Sequence, residues 1–329
     1  MLVDGPGKVP ANRDTSVGSL EQTASHSPRH PRGSGGPGAD VEAVGLDSRF
    51  RGNDGLALRE PARRHRSWLA VVTLAATVAA AAAPASAAEI MPHRALYAMT
   101  LAGSRTDSGV VDAHGTMAYE WGETCDGWTI EQRYRLKMNY SESKDVDISS
   151  NFVTWEAKNG LRYRFNQKET RNGEVKEEIR GEAHLDGPGK GGVADFEKPE
   201  PKRMILAPGV IFPSAHTILL IDSAERGEHF VTRQLFDGST VENAVQVSAV
   251  IAGKTEPSPD AKKSPLLQRP GWAVRLAFFP ADPNAEKPDY ELGMRLLDNG
   301  VSENMLIDYG DYSIRATLTD IEPLPKPSC

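Results

Sequence analysis

Trp128–Asn139, WTIEQRYRLKMN, is the stretch whose reading decides the fold. Trp128, Ile130, Gln132, Tyr134, Leu136 and Met138 alternate with Thr129, Glu131, Arg133, Arg135, Lys137 and Asn139. A period of two, with one mainly apolar and one charged face, is the pattern of an antiparallel strand buried on one side. Leu161, Tyr163 and Phe165 alternate in the same way with Arg162, Arg164 and Asn166. The pattern returns at Trp272, Val274, Leu276 and Phe278, and again at Tyr290, Leu292, Met294 and Leu296. Further strands are predicted over residues 95–101, 110–120, 146–155, 174–182, 241–251, 305–309 and 312–318. Asn159-Gly160, Asn172-Gly173 and Asn299-Gly300 are short hairpin signals between them. Residues 198–208, 253–271 and 280–289 carry prolines and polar side chains, so they are predicted as loops over the surface. About a dozen strands with polar outer faces imply a mainly all-β protein built on a large antiparallel sheet that curls on itself.

One stretch departs from this period. In residues 207–239, APGVIFPSAHTILLIDSAERGEHFVTRQLFDGS, the apolar spacing changes from two to about 3.6. Ala215, Ile218, Leu219, Asp222 and Ala224 fall near helical spacing, with Pro213 before them, Ser214 as the expected N-cap and Gly227 as the stop. Residues 230–236 then read as a strand, and Asp237-Gly238 as a turn into the next one. A short helix is therefore predicted between two blocks of strands.

The beginning of the chain is of another kind. Residues 1–62 are rich in Gly, Pro, Ser, Arg and His without apolar periodicity, which reads either as a disordered tail or as a mis-set translation start. Arg63-Arg64-His65-Arg66, the Ala- and Val-rich run 68–83 and the small residues 84–88 then have the order of a secretory signal. The expectation is a cleaved signal over 63–87, a mature chain from about Ala88 with no transmembrane segment, and one β domain over 88–329 in the periplasm. From Ala88 onward 28 basic residues face 37 acidic ones, a net charge near −9, which argues against nucleic acid and anionic lipid headgroups as electrostatic partners.

Cys125 and Cys329 are the two cysteines of the chain. An even count in an exported protein reads as a disulfide, with free thiols or intermolecular pairing as the alternatives. In the chain-entropy model, closing so long a loop stabilises by about 5 kcal/mol. Such a bond would tie the Pro-rich tail, residues 322–327, back to an early strand.

Catalytic patterns are thin. Ser214, His216, Asp222 and Asp237 are the right types for a nucleophile, base and orienter, but Ser214 and His216 are two apart and diverge on a helix. His93, His114, His184, His216 and His229 lack the paired spacing of a metal site, and residues 187–192 lack the order of a phosphate loop. The reading is no catalytic set, no metal and no cofactor. Trp128, Trp155 and Trp272 fall in strands; they are core residues, or, if the sheet encloses a cavity, the lining for a lipid-like ligand.

An ordered set of short motifs runs His93-Arg94-Ala95 with Tyr97, Cys125-Asp126-Gly127-Trp128, Thr154-Trp155-Glu156, Pro208-Gly209, Phe212-Pro213, His216-Thr217, Leu220-Ile221 and Phe236-Asp237-Gly238-Ser239. Asp289-Tyr290, Asn299-Gly300-Val301, Asp308-Tyr309-Gly310 and Cys329 complete it. The set resembles the EipB-like family of periplasmic cell-envelope integrity proteins, long catalogued as a domain of unknown function. The resemblance implies a broken barrel or β-spiral with a few helices, supports a Cys125–Cys329 bond and marks Pro213, His216, Phe236, Asp237 and Gly238 as signature positions. It further implies a non-enzymatic envelope protein that contacts periplasmic partners, tetratricopeptide-repeat proteins among them. The rival expectations are a carrier of an apolar ligand inside the sheet and, third, a hydrolase.

Overall fold

A computed structural model describes residues 88–258, 263–282 and 284–329; the tail and signal expected over residues 1–87 lie outside the described residues. The first block of strands is β1 (His93–Ser104), β2 (Val110–Glu123), β3 (Gly127–Tyr140), β4 (Val146–Ala157), β5 (Arg162–Arg171), β6 (Glu174–Leu185), β7 (Gly192–Lys198) and β8 (Lys202–Leu206). A two-residue strand β9 (Val210–Ile211) leads into the helix α1 (Pro213–Glu225). The second block is β10 (Phe230–Leu235), β11 (Val245–Thr255), β12 (Gly271–Phe279), β13 (Tyr290–Leu297), β14 (Ser302–Asp308) and β15 (Tyr312–Pro323).

All fifteen strands form one sheet, ordered β8-β7-β6-β5-β4-β3-β2-β1-β15-β14-β13-β12-β11-β10-β9. Every neighbouring pair is antiparallel except β9 with β10. A parallel pair needs a crossover connection, and α1 is that crossover. The first strand lies mid-sheet against the last: His93 pairs with Pro323 and Ser104 with Tyr312. The two free edges, β8 and β9, are consecutive in sequence, so the curl is nearly closed and leaves one unsealed seam.

Strict alternation accounts for most of this. In β3, Gln132, Tyr134, Leu136 and Met138 are buried while Arg133, Arg135 and Lys137 are exposed. At Asn172-Gly173 both φ angles are positive, +52° and +81°, as a two-residue primed turn demands. The large core joins β1–β4 and β10–β15 to Leu220, Ile221 and Ala224 of α1. A second core, mostly aromatic, lies under β4–β9: Phe165, Phe196, Phe212 and Phe236 meet edge-on or stacked with Tyr163.

Several expectations are corrected. The region 198–208 is not a loop throughout, since Lys202–Leu206 forms β8 on β7. The region 253–271 is not simply a surface loop: Leu266 and Leu267 of its short 3-10 turn are buried against Leu297 and Val301. The strand expected over 241–251 begins at Val245, and Asp237-Gly238 opens a connection of several residues instead of a tight turn. The helix begins at Pro213 with Phe212 as N-cap and no side-chain cap of its own; Ser214 is inside it. Its buried positions are Ser214, His216, Thr217, Leu220, Ile221, Ser223 and Ala224; of the face read from spacing only Ala224 is among them, while Ala215, Ile218, Leu219 and Asp222 are half-buried.

Candidate functional site

The centre of the curl is filled. Pro213, Ser214 and Thr217 of α1 approach Tyr119, Trp121, Ile130 and Phe152 on one side, leaving a cavity of about 20 Å³. On the other side Pro213, His216 and Leu220 approach Leu276, Phe278, Met294 and Leu296, leaving about 10 Å³. Spaces of that size hold at most about one water, not an acyl chain. Trp272 is buried in the core and Trp128 packs against it, edge-on to Trp121. Trp155 lies on the opposite face, under the Arg164 guanidinium at 4.7 Å. The idea that Trp128, Trp155 and Trp272 together line a cavity is thereby corrected.

One acidic residue is built into this filled centre. Glu156 shares the inward parity of Phe152 and Thr154 and is 2% exposed. Its two carboxylate oxygens accept the Ser214 and Ala215 amides at 2.6 and 2.8 Å, capping the helix that has no cap of its own. Burial pushes its carboxyl up to about 7, against the lowering effect of those two amides. A carboxylate at the positive end of a helix is well placed; it is a positioning group, clamping β4 to α1.

His216 does not join Ser214 or Asp222 in a hydrogen-bonded set. Its Nε2 has no partner among the described residues, and burial drives its ring down to about 3, so it is neutral. Asp237 holds the Ser239 amide and hydroxyl at 2.9 and 2.7 Å, and burial raises its carboxyl. Among the described residues no group of three His, Cys, Asp or Glu side chains comes together to hold a metal, and no helix is long and apolar enough to cross a membrane.

The signature residues converge on the seam. Tyr163 donates its hydroxyl to the Asp237 carbonyl at 2.8 Å, and the Phe236 amide donates to the Ile211 carbonyl at 3.1 Å. Gly238, at φ +69°, lies so close to Phe165 that a Cβ there would be 2.4 Å from the ring. Lys202 Nζ reaches the Val241 carbonyl at 3.1 Å, and Asn243 Nδ2 the Ile205 carbonyl at 3.4 Å. Residues 236–244 thus lie across the gap that the sheet leaves open. At the other end of the chain, Cys125 and Cys329 are bonded with Cα atoms 5.7 Å apart.

A broad concavity lies on the outer face. Outward positions on neighbouring strands fall into register: Leu96, Ala118, Arg133, Asn151 and Lys168 form one row, and Ala98, Thr116, Arg135, Ser149 and Thr170 the next. Alanine, serine and threonine make a low floor; Leu96 and the cationic side chains rise from it. The result is an open groove of about 740 Å³ across β15 and β1–β5. Arg133 is paired with Glu131, and Arg135 with Asp147 at 3.4 Å, so the rim is mixed in charge. Sequence reading missed this groove and quoted Glu156 only within a family motif, without its role; the small outward residues that form the groove's floor carry no chemical signal of their own.

The chain and its fold resemble known proteins. A family model described as EipB-like matches residues 84–325. The chain is 32% identical over 258 residues to the cell envelope integrity protein EipB of Brucella abortus (strain 2308), covering 77% of this chain and 91% of that protein. Its fold is similar, with a TM-score of 0.68 and 29% identity, to the crystal structure of a beta-barrel-like protein of a domain of unknown function from Brucella abortus, covering 73% of this chain and 100% of that one. With most of its length matched both by the family model and by a curated relative, the chain belongs to the EipB-like family.

Proposed function

We propose that the protein is exported to the periplasm and supports cell-envelope integrity by protein contacts, without catalysis. The observation that carries this reading is the contrast between a centre filled by α1, with cavities of about 20 and 10 Å³, and an outer groove of about 740 Å³. A filled centre favours a binding module over a carrier of an apolar ligand inside the sheet. The relative's role in envelope integrity, and the signal-like order of residues 63–87, support the compartment. Tetratricopeptide-repeat proteins are the partner class to try first, and the groove over β1–β5 is the surface to try first.

Deleting the gene should make the bacterium sensitive to detergent and cell-wall antibiotics. A chain carrying Ala118→Glu and Arg133→Glu should fold normally yet fail to restore resistance. Full restoration would move the contact surface away from the groove, and a deletion without sensitivity would sink the envelope reading.

A further inference from the structure

The first described residue, Ala88, is not free. Its backbone nitrogen donates to the Asp222 Oδ1 of α1 at 3.0 Å, 134 positions later in sequence. The residues after it are held as firmly: Glu89 pairs with Lys326 at 2.7 Å, Ile90 is buried in the large core, and the Met91 amide donates to the Asn299 carbonyl at 3.0 Å. Directly before it stand Ala85-Ser86-Ala87, small residues at the two positions a signal peptidase reads. The bond that the sequence marks for cleavage and the first amide seated on the helix therefore coincide.

Asp222 is a poor choice for that place on the helix alone. It lies in the last turn of α1, at the negative end of the helix dipole, where a carboxylate is disfavoured and a cation favoured. That turn contains no basic residue, and Glu225 adds a second acid. Arg226, the C-cap, is hydrogen-bonded to Glu228 at 2.8 Å and to the Ser223 hydroxyl at 3.1 Å, and Asp222 adds only a weaker attraction to its charge, with no direct bond between the two. Lys326, the cation nearest in sequence to the tail, is taken by Glu89.

We propose that cleavage at Ala87–Ala88 is the maturation step that completes this site, because it turns a neutral amide donor into an α-ammonium paired with Asp222. Water adds across the amide: the carboxylate leaves with Ala87, and the nitrogen stays on Ala88, takes up a proton and carries a positive charge. The new cation meets the Asp222 carboxylate, and it ties the lead into β1 to α1. The precursor can form the hydrogen bond but not the ion pair, so the contact is completed only after export. This inference rests on the export reading above.

The test starts from the full chain, exported and processed by its host. Intact mass of the protein recovered from the envelope fraction should give a chain beginning at Ala88. A chain that still carries its leader overturns both this inference and the export reading; cleavage at any bond other than Ala87–Ala88, Ala88–Glu89 included, overturns this inference alone. Thermal midpoints of the processed protein are then followed from pH 6 to 10, beside Asp222→Asn. An amine whose folded pKa is raised by its partner contributes stability in full below about pH 8, its unfolded value, and loses it as pH rises through the folded value. The wild type should therefore exceed Asp222→Asn by about 2–4 °C at pH 6 and converge with it by pH 10. Equal differences at every pH would overturn the ion pair while leaving export intact. Should Asp222→Asn not fold, the wild-type α-amine decides alone: acylation titrated against pH should place it above the ordinary range of about 7.7–8.0, and an ordinary value overturns the pairing.

Discussion

The wall around β1 and the seam between β8 and β9 close the same curled sheet by different means. On the wall, β1 lies between β2 and β15, and the backbone ladder runs from strand to strand without a gap. At the seam there is no ladder between β8 and β9; five aromatic rings and residues 236–244 cover the opening instead. Ladder closure depends on backbone and tolerates many side chains as long as parity is kept. Packed closure depends on shape, so individual residues there matter more. The signature positions Phe236, Asp237 and Gly238 fall at the seam, and Pro213 and His216 just inside it.

The comparison can be broken most directly at Phe165, which touches Phe196, Phe236 and Gly238. Phe165→Ala should cost about 3–5 kcal/mol and expose residues 236–244 to protease before the rest of the sheet, read by denaturant midpoints and the first cleavage site. Unchanged proteolysis there would mean the rings do not hold the seam. The next largest effect belongs to the disulfide, which secures the wall's tail. Cys125→Ser with Cys329→Ser should cost about 2–5 kcal/mol under oxidising conditions and nothing further when reductant is added. Equal stability of variant and wild type would leave the bond without a structural role.

A third prediction sharpens the contrast from inside. Glu156 clamps the strand block to the helix, and its folded value of about 7 lies above the ordinary carboxylate value of about 4.3. The folded state thus holds the proton more tightly, so this group's contribution is fullest below about pH 4 and declines as pH rises to 7. Glu156→Gln should flatten that slope in plots of the thermal midpoint against pH, and Glu156→Ala should cost about 1–3 kcal/mol by leaving the Ser214 and Ala215 amides without their acceptor. The smallest effect is expected far from both closures. Gly173→Ala, at φ +81° in an exposed turn, should cost about 1 kcal/mol and leave the seam's protease resistance unchanged.

How much was legible follows the same division. Alternation gave β3, β5, β12 and β13 because each has one buried and one wet face over most of its length. It failed at β7, β8 and β9. An edge strand of five residues with Lys202 and Arg203 exposed and Pro199 and Pro201 nearby has the composition of a loop, as protected edges do. The helix was found from its spacing, but its face was misjudged, since a helix enclosed by a curled sheet buries Ser214, His216 and Thr217 as well as Leu220 and Ile221. At residues 154–156 parity alone would have turned Glu156 inward and Trp155 outward. The size of the tryptophan outweighed that signal, because a buried carboxylate is costly until a helix end is there to receive it.

The placement of β1 beside β15 has a consequence for how the protein comes into being. His93 and Pro323 are partners across most of the chain, so the sheet's middle is made of its first and last segments to emerge. Until β15 arrives, β1 has one unsatisfied edge. Contacts so distant in sequence close slowly and leave an aggregation-exposed intermediate. On the export reading proposed above, the chain has to be held apart from its neighbours until β15 is through. The Cys125–Cys329 bond joins a residue beyond β15 to one between β2 and β3, so it can only record that the search has ended.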